Sequence, residues 1–269
     1  MKRSFKLKII AILLIFSSIM ISGCSLGNSL LDRDKNEDFE FLGNGSIVTI
    51  VIQSARDKGF RFLVTDEDTI NELYFSLSRA QKAEEKPVLD PDYIFEFHDD
   101  EGNIKYYYYI AGVSKLDRGN FYNDEAYYKV TDRIDNHLIS NLYSLRKPKY
   151  FEDAYYESII ELAYKVRDEN KDKSIGVKIE DDLEVLKYQT SREIADFKDV
   201  LKEKDIILLE SNDPADIILE IKTVGYTTIV YKAVVDAKGL DKQYYIYSKY
   251  KNDINKWDKI ISEDKPENF

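Results

Sequence analysis

The chain has very little of the chemistry that most catalytic and metal sites need. Its 269 residues include only one cysteine and two histidines, Cys24, His98 and His137. Nucleophilic catalysis of the Ser/His/Asp or Cys/His kind needs a histidine that shuttles a proton, and neither histidine lies near a serine in a recognisable motif. A zinc site needs three or four ligands, which this supply does not provide. We therefore expect no catalytic residue of these classes and no metal.

Glycine and positive charge are also scarce. The 11 glycines form no GxGxxG or GxxxxGK(S/T) pattern, so the usual nucleotide sites are excluded and no cofactor is expected. Lysine and arginine together number 39 against 50 acidic residues, which gives a net charge of -11. Such acidity, without any cluster of basic residues, argues against nucleic acid as a partner.

The N-terminal segment has the pattern of a signal peptide. An apolar run over residues 9–21 follows four basic residues, Lys2, Arg3, Lys6 and Lys8. The run is too short to span a membrane comfortably, which takes about 20 apolar residues. Residues 1–23 are therefore predicted to be removed from the mature protein.

The residues around the cysteine resemble the lipobox of bacterial lipoproteins. Ile21, Ser22 and Gly23 supply one branched apolar residue and two small ones directly before Cys24. The resemblance implies that a diacylglyceryl group is joined to Cys24, which anchors the protein on the outer face of the membrane, as on a Gram-positive cell surface. Two acyl chains hold firmly because each buried methylene contributes roughly 0.8 kcal/mol. The alternative is a spare thiol beside an ordinary cleavage site.

Beyond this segment the sequence predicts an α+β protein of two similar units. Residues 24–45 are predicted to be a flexible, lipidated tether, since the stretch from Ser25 to about Asp38 is polar and lacks an apolar period. The first unit is predicted over residues 46–147, a linking helix over 148–173 and the second unit over 174–262, before a polar tail at 263–269. Each unit is expected to be a small, mostly antiparallel sheet packed with one or two helices, in the order β-β-α-β-β-β-α.

The strands and helices of the first unit are predicted from the spacing of its apolar residues. SIVTIVIQ from Ser46 and FRFLVT from Phe60 are rich in β-branched and aromatic residues and are separated by a short turn. Asp66 can cap a following helix, whose apolar face is formed by Ile70, Leu73, Tyr74 and Leu77. DYIFEFH, IKYYYYIAG and AYYKV are then expected as antiparallel strands before a closing helix.

A constant shift of 124 residues reproduces part of this pattern in the second unit. The shift carries Asp66 onto Thr190 and Leu77 onto Leu201, so that both the cap and the apolar face recur. Thr190 and Glu193 also have the spacing of a capping box. An internal duplication is therefore predicted, although two units built to one plan share some of this pattern without it.

Two further elements are expected if the units correspond. EVLKYQ from Glu184 is the expected counterpart of the second strand of the first unit. A helix that contains Trp257 is the expected counterpart of the first unit's closing helix.

The first unit resembles the uncharacterised YhfM-like lipoproteins of Gram-positive bacteria. The resemblance lies in the acid-capped helix from Asp66 to Leu77, followed by PDYIFEF, the aromatic strand IKYYYYI and the AYYKV strand before a helix. It covers roughly residues 46 to 145. It implies an exported lipoprotein domain and supplies no activity to carry over.

The candidate binding surface is a run of tyrosines. Tyr106, Tyr107, Tyr108 and Tyr109 occupy consecutive strand positions, so two rings point to each face of the sheet. Tyrosine has a flat apolar body with a polar tip, which suits contact with sugars or proteins. The alternative is that tyrosine is simply a good strand former and that helices cover both faces.

These observations favour a lipid-anchored, non-enzymatic binding module on the cell surface. Its expected partners are the membrane, through Cys24, and an envelope protein or a cell-wall glycan. The alternative is a cell-envelope enzyme that uses carboxylates, because 50 acidic residues offer many pairs. A solute-binding subunit of an importer normally has two larger lobes built on parallel strands, which the predicted hairpins do not match.

Overall fold

A computed structural model describes residues 35–113, 118–143, 147–210 and 213–269. The predicted signal peptide, the lipobox and Cys24 lie outside these ranges. In the part of the chain that is described, no helix is both long enough and apolar enough to cross a membrane. The fold is α+β and contains two sheets and several helices, as predicted.

A seven-stranded antiparallel sheet forms the first unit, with the strand order β2-β1-β4-β5-β6-β7-β3. Its strands are β1 (Ile47–Ser54), β2 (Arg61–Val64), β3 (Gln81–Ala83), β4 (Tyr93–Asp99), β5 (Ile104–Tyr109), β6 (Phe121–Tyr122) and β7 (Tyr127–Lys129). The β4–β5 turn is held by the Asp99 carboxylate, which accepts a 2.7 Å hydrogen bond from the Asn103 backbone N–H. Gly102 in this turn has φ +89°, a backbone conformation that glycine adopts without strain.

Helix α2 packs its predicted face against this sheet. It spans Glu67–Leu77 and begins at Asp66, whose carboxylate accepts a 2.9 Å hydrogen bond from the Thr69 N–H. Ile70, Leu73 and Leu77 are buried, and Leu77 is fully shielded from solvent. The cap and the buried face are both confirmed.

The described part of the predicted tether is folded. A 3-10 helix (Glu37–Phe39) continues into α1 (Glu40–Gly43), and Phe39 and Leu42 are buried in the core. The Phe39 ring lies 4.7 Å from that of Tyr128. The prediction of a flexible segment up to residue 45 is therefore wrong here. Two short helical turns are too brief to show an apolar period, so the sequence pattern missed them.

The closing helix of the first unit is irregular. A π-helix, Ile134–Ile139, runs into α3 (Ser140–Tyr143). Ile134 and Ile139 are buried in the same core cluster as the strands. Its position agrees with the helix predicted after Val130.

The linking segment is helical, as predicted, but it is broken near its start. Helix α4 (Phe151–Ala154) ends just before Tyr155, and α5 (Tyr156–Glu169) begins just after it. The buried face of α5 includes Ile159, Ala163 and Val166. This face contributes to the core cluster that both units share.

The second unit is a six-stranded mixed sheet with the order β13-β12-β11-β10-β8-β9. Its strands are β8 (Ile175–Lys178), β9 (Ile206–Leu208), β10 (Ile217–Thr227), β11 (Val230–Lys238), β12 (Lys242–Lys251) and β13 (Lys256–Ser262), and helix α6 spans Ser191–Lys202. Strand β8 pairs in parallel with β9 and β10, whereas the later strands form antiparallel hairpins.

The internal duplication is not confirmed, because the first strands of the two units pair differently. Strand β1 runs antiparallel to β4, and its other neighbour β2 precedes helix α2. Strand β8 runs parallel to β10, and its other neighbour β9 follows helix α6. A connection through a helix returns the chain in the parallel direction, whereas a tight hairpin reverses it.

Two elements of the second unit that were predicted by correspondence with the first unit are wrong, because the two units differ in topology. The segment from Glu184 contains a 3-10 helix, Leu186–Tyr188, and no strand. Trp257 lies in β13, where its indole N–H donates a 2.8 Å hydrogen bond to the Lys149 carbonyl. The helix at the repeated position is correct, since Thr190 completes a capping box and Leu201 is fully buried.

Candidate binding cleft between the two units

The predicted tyrosine surface divides between the two faces of strand β5. Tyr107 and Tyr109 are buried in the core, whereas Tyr106 is 49% exposed. Tyr108 is half-buried, with its ring 5.4 Å from that of Tyr122. The rings alternate between the two faces, in agreement with the prediction. Of the four, however, Tyr106 alone is largely exposed, and its cross-strand partner is the charged Glu96.

A cleft between the two units is a better candidate site. Its volume is about 1070 Å³, and its walls come from the end of β5, the π-helix, α4, α5 and α6. A groove of similar volume, about 1110 Å³, runs along α2, but its charged side chains are all exposed. The cleft contains partly buried carboxyl groups whose pKa values are perturbed, which is the usual mark of a ligand site.

The relative position of the units is set by a buried polar cluster around Asp92. The Arg56 guanidinium lies 2.6 Å from Asp92 Oδ1 and also donates to the Ser191 hydroxyl. Asp92 accepts further hydrogen bonds from the backbone N–H groups of Ser191, at 2.7 Å, and Ala111, at 2.9 Å. Burial raises the pKa of Asp92, while Arg56 and these two N–H groups oppose the rise. This cluster joins the first unit to the N-terminus of α6.

Glu193 and Glu152 form a carboxyl pair at the side of the cleft. The capping box turns Glu193 back toward Thr190, whose backbone N–H donates a 3.0 Å hydrogen bond to Glu193 Oε2. Glu152, in the first turn of α4, shares a hydrogen bond with the Glu193 carboxyl. Lys147 Nζ lies 3.9 Å from Glu193 Oε1 and donates to the Tyr188 carbonyl.

The pair holds one proton near neutral pH. Burial, together with the adjacent Glu152, raises the pKa of Glu193 to about 8 against the pull of Lys147. Partial burial also acts to raise the pKa of Glu152, but the hydrogen bond with Glu193 and the charge of Lys147 lower it overall. Two carboxyl groups in contact cannot both ionise without strong repulsion, so Glu193 keeps the proton.

Two polar atoms of the cleft residues lack hydrogen-bond partners. Tyr156 lines the cleft and is 4% exposed, and its hydroxyl has no partner among the described residues. Asp135 Oδ2 accepts a 2.9 Å hydrogen bond from the Gly112 N–H, whereas its Oδ1 forms none. Tyr109 lies beside Asp135, and its hydroxyl interacts with the Asp135 carboxyl in a way that lowers the pKa of that carboxyl. Burial raises the pKa of Asp135. A buried polar atom without a partner costs about 1–3 kcal/mol.

The other residues considered in the sequence have structural settings. His98 Nε2 lies 3.0 Å from Glu96 on the sheet surface, and the side chain of His137 is outside the described part. Asp182 is buried and accepts hydrogen bonds from the Thr223 N–H and hydroxyl, at 2.9 and 2.7 Å. Among the residues that the structure describes, no group of three or more His, Cys, Asp or Glu side chains is placed to hold a metal ion.

No local pattern along the chain indicated the cleft directly. Glu193 was recognised only as a capping residue, and Glu152 and Tyr156 only as part of a linking helix. The capping box was the one usable sign, because it fixes a carboxyl group at the N-terminal end of a helix.

Comparison with known proteins finds a similarity that covers the first unit. A family model described as YhfM protein matches residues 43–148, so this part of the chain is similar to that family within an α+β protein of two sheets. No curated protein and no solved structure matches the chain. The match includes Asp135 but ends before Glu152, Tyr156 and Glu193, so the cleft draws on both the matched range and the unit that follows it.

Proposed function

We propose that this chain is a lipid-anchored, non-enzymatic binding protein of the cell surface, and that its ligand occupies the cleft between the two units. The anchor is Cys24, within the lipobox pattern of Ile21, Ser22 and Gly23. The tether between lipid and folded body then ends before Asn36, whose backbone N–H already donates a 2.8 Å hydrogen bond to the Ser78 carbonyl.

The hydroxyl of Tyr156, unpaired among the described residues, is the main reason for proposing the cleft as the ligand site. The Tyr156 hydroxyl is buried, lacks a partner in the described part of the chain, and belongs to a side chain that lines a cleft of ligand size. Sites for small molecules are typically concave, largely apolar and about 300–1,000 Å³ in volume, with a few polar groups that fix orientation. A ligand that bonds to the Tyr156 hydroxyl removes the cost of leaving this atom unpaired.

The size of the cleft also narrows the partner. A cleft of about 1070 Å³ can take up a cell-wall fragment or a short segment of an envelope protein. A partner with a large flat surface fits such a cleft less well. We propose a soluble cell-wall fragment as the first ligand to test, because a lipid-anchored protein outside the membrane meets such fragments continuously.

The second candidate is a carboxylate-dependent enzyme, and the Glu152 and Glu193 pair favours it. A pair that shares one proton is an arrangement used for acid and base catalysis. The two carboxyl groups are in hydrogen-bond contact, however, whereas retaining glycosidases place theirs about 5–5.5 Å apart. Glu193 also bonds to the Thr190 backbone, which holds it in a capping role. Binding is therefore the better proposal.

The test is retention of cell-wall fragments by the full-length protein in detergent. A muramidase digest of cell wall is dialysed against the protein, and the retained fragments are identified by mass spectrometry. Ile160→Trp places a large ring in the cleft, while Ile260→Trp makes the same change at an exposed position of β13.

We expect wild type and Ile260→Trp to retain the same fragment and Ile160→Trp to lose it. Retention that is equal in all three proteins, or absent from all three, contradicts the proposal. Recovery of the fragment in cleaved form, with cleavage abolished by Glu193→Gln, would establish the enzyme instead.

A further inference from the structure

We propose that the ligand of this cleft is an organic cation, held through an ammonium or guanidinium group by the carboxyl groups of the cleft walls. This inference rests on the proposed function, since it names the chemical class that the same cleft takes.

Charge on the cleft walls is the first argument. The lining contains two cationic side chains, Lys147 and Arg192, and six carboxyl groups, those of Asp132, Asp135, Glu152, Glu157, Glu193 and Asp196. An anionic ligand has to approach this excess of negative charge, and a neutral ligand leaves it uncompensated.

Ion pairs within the protein account for only part of the excess. Asp196 pairs with Arg192 at 3.1 Å, and Glu157 pairs with Lys259 at 2.9 Å. Arg192 is further engaged by the Gly112 carbonyl, at 3.5 Å. Lys147 faces the Glu152 and Glu193 pair, so Asp132 and Asp135 have no cation from the described residues beside them in the cleft.

Aromatic rings and an open acceptor are the second, independent argument. The cleft is lined by four aromatic rings, those of Tyr93, Tyr156, Tyr188 and Phe197. Rings attract cations through their negative faces, and they pack against the apolar part of an organic ligand. The buried Tyr156 hydroxyl lacks a partner among the described residues and can accept an N–H group of such a ligand.

Proton release from Glu193 is expected to accompany binding. The groups around Glu193 are Glu152 on α4, Lys147 before it, Tyr156 on α5, and Arg192 and Asp196 on its own helix. Burial keeps Glu193 protonated up to a pH of about 8, and a bound cation favours the ionised form. Affinity for the cation therefore rises as the pH increases through this value.

Three probes of nearly equal size separate the possible ligand classes. They are n-butylguanidinium, the neutral n-butylurea and the anion valerate, each titrated by calorimetry into the full-length protein in detergent. Guanidinium stays charged over the whole pH range used, so any pH dependence belongs to the protein.

Wild type is expected to bind n-butylguanidinium at least about tenfold more tightly than n-butylurea, and valerate least of all. Asp135→Asn is expected to weaken binding about tenfold. Asp124→Asn, an equal change at an exposed residue outside the cleft, is expected to leave binding unchanged. The increase in affinity with pH is expected in wild type and absent in Glu193→Gln, which keeps the capping box because glutamine also serves there.

The inference is overturned if n-butylurea or valerate binds as tightly as n-butylguanidinium, or if Asp135→Asn has no effect. The proposed function still stands in that case if Ile160→Trp abolishes the binding. Binding of none of the probes also overturns the inference. The proposed function then depends on the retained cell-wall fragments alone, and it falls as well if Ile160→Trp leaves their retention unchanged.

Discussion

Arg56→Ala is expected to destabilise the protein strongly, because it removes the positive charge from the buried cluster between the units. The Arg56 side chain is 19% exposed and that of Asp92 only 1%. Breaking a buried ion pair by removing one partner costs about 3–5 kcal/mol, since the remaining charge is left without compensation. Two backbone N–H groups still bond to Asp92, so we expect a loss near the lower end, about 3 kcal/mol.

Arg61→Ala is the matched control. Arg61 lies in strand β2 and pairs with Glu96 at 3.1 Å, but its side chain is 46% exposed. Exposed pairs contribute about 0–1 kcal/mol. The free energy of unfolding is measured in urea for both variants and for wild type, with fluorescence of Trp257 reporting on the second unit and circular dichroism on both.

The effect of pH distinguishes a lost charge from lost packing. Without Arg56 the pKa of Asp92 rises further, so the folded variant binds a proton that the unfolded chain releases above about pH 4. The stability deficit of Arg56→Ala should therefore grow as the pH increases from about 4 toward neutrality. Equal losses for Arg56→Ala and Arg61→Ala, or a deficit independent of pH, would refute this account of the cluster.

Three further predictions concern the core, the carboxyl pair and the anchor. Leu77→Ala and Leu201→Ala should each lower the free energy of unfolding by roughly 2–5 kcal/mol, because both side chains are fully buried. Glu193 has its pKa raised from 4.5 to about 8 on folding, so it makes wild type lose stability as the pH rises through this interval, and Glu193→Gln should remove that loss. Cys24→Ala should abolish diacylglyceryl labelling.

Each of these predictions has a simple control. Leu183→Ala, at a side chain that is 71% exposed, should change the free energy of unfolding by less than about 0.5 kcal/mol. Urea unfolding at several pH values compares Glu193→Gln with wild type, and parallel pH profiles would contradict the assignment of the proton to Glu193. Ser25→Ala should keep the lipid label, and labelled Cys24→Ala protein would exclude lipidation at this residue.

Much of the first unit could be predicted because its signals are local. Asp66 precedes an apolar period of helical spacing, and the strands that follow are bounded by turn residues such as Gly102. The helical turns of residues 37–43 were missed because Phe39 and Leu42 make their contacts with distant parts of the chain. A segment of that length offers too few apolar residues to show a period.

The second unit shows where a repeated pattern misleads. The cap at Thr190 and the buried Leu201 were correct, since a helix carries its own signals. Strand direction has no comparable local signal, and the parallel pairing of β8 with β9 follows from the connection through α6. Trp257 was assigned to a helix by correspondence alone, although its neighbours in β13 alternate between buried and exposed positions.

The cleft could not be predicted because it exists only where the units meet. Asp135, Glu152 and Glu193 come from separate helices, and nothing in their spacing along the chain indicates that they share one space. The surface predicted from Tyr106 to Tyr109 rests on the alternation of a single strand, which is a local signal. Two of its four rings, those of Tyr107 and Tyr109, are buried in the core.

Fluorine NMR tests most directly whether the cleft, and not the tyrosine strand, is the ligand site. Full-length protein is prepared with 3-fluorotyrosine, and the resonances of Tyr156 and Tyr106 are assigned from Tyr156→Phe and Tyr106→Phe. Addition of the muramidase digest is predicted to shift the Tyr156 resonance and leave that of Tyr106 unchanged. A shift of Tyr106 with Tyr156 unchanged would contradict the account and place the contact surface on the outer face of strand β5.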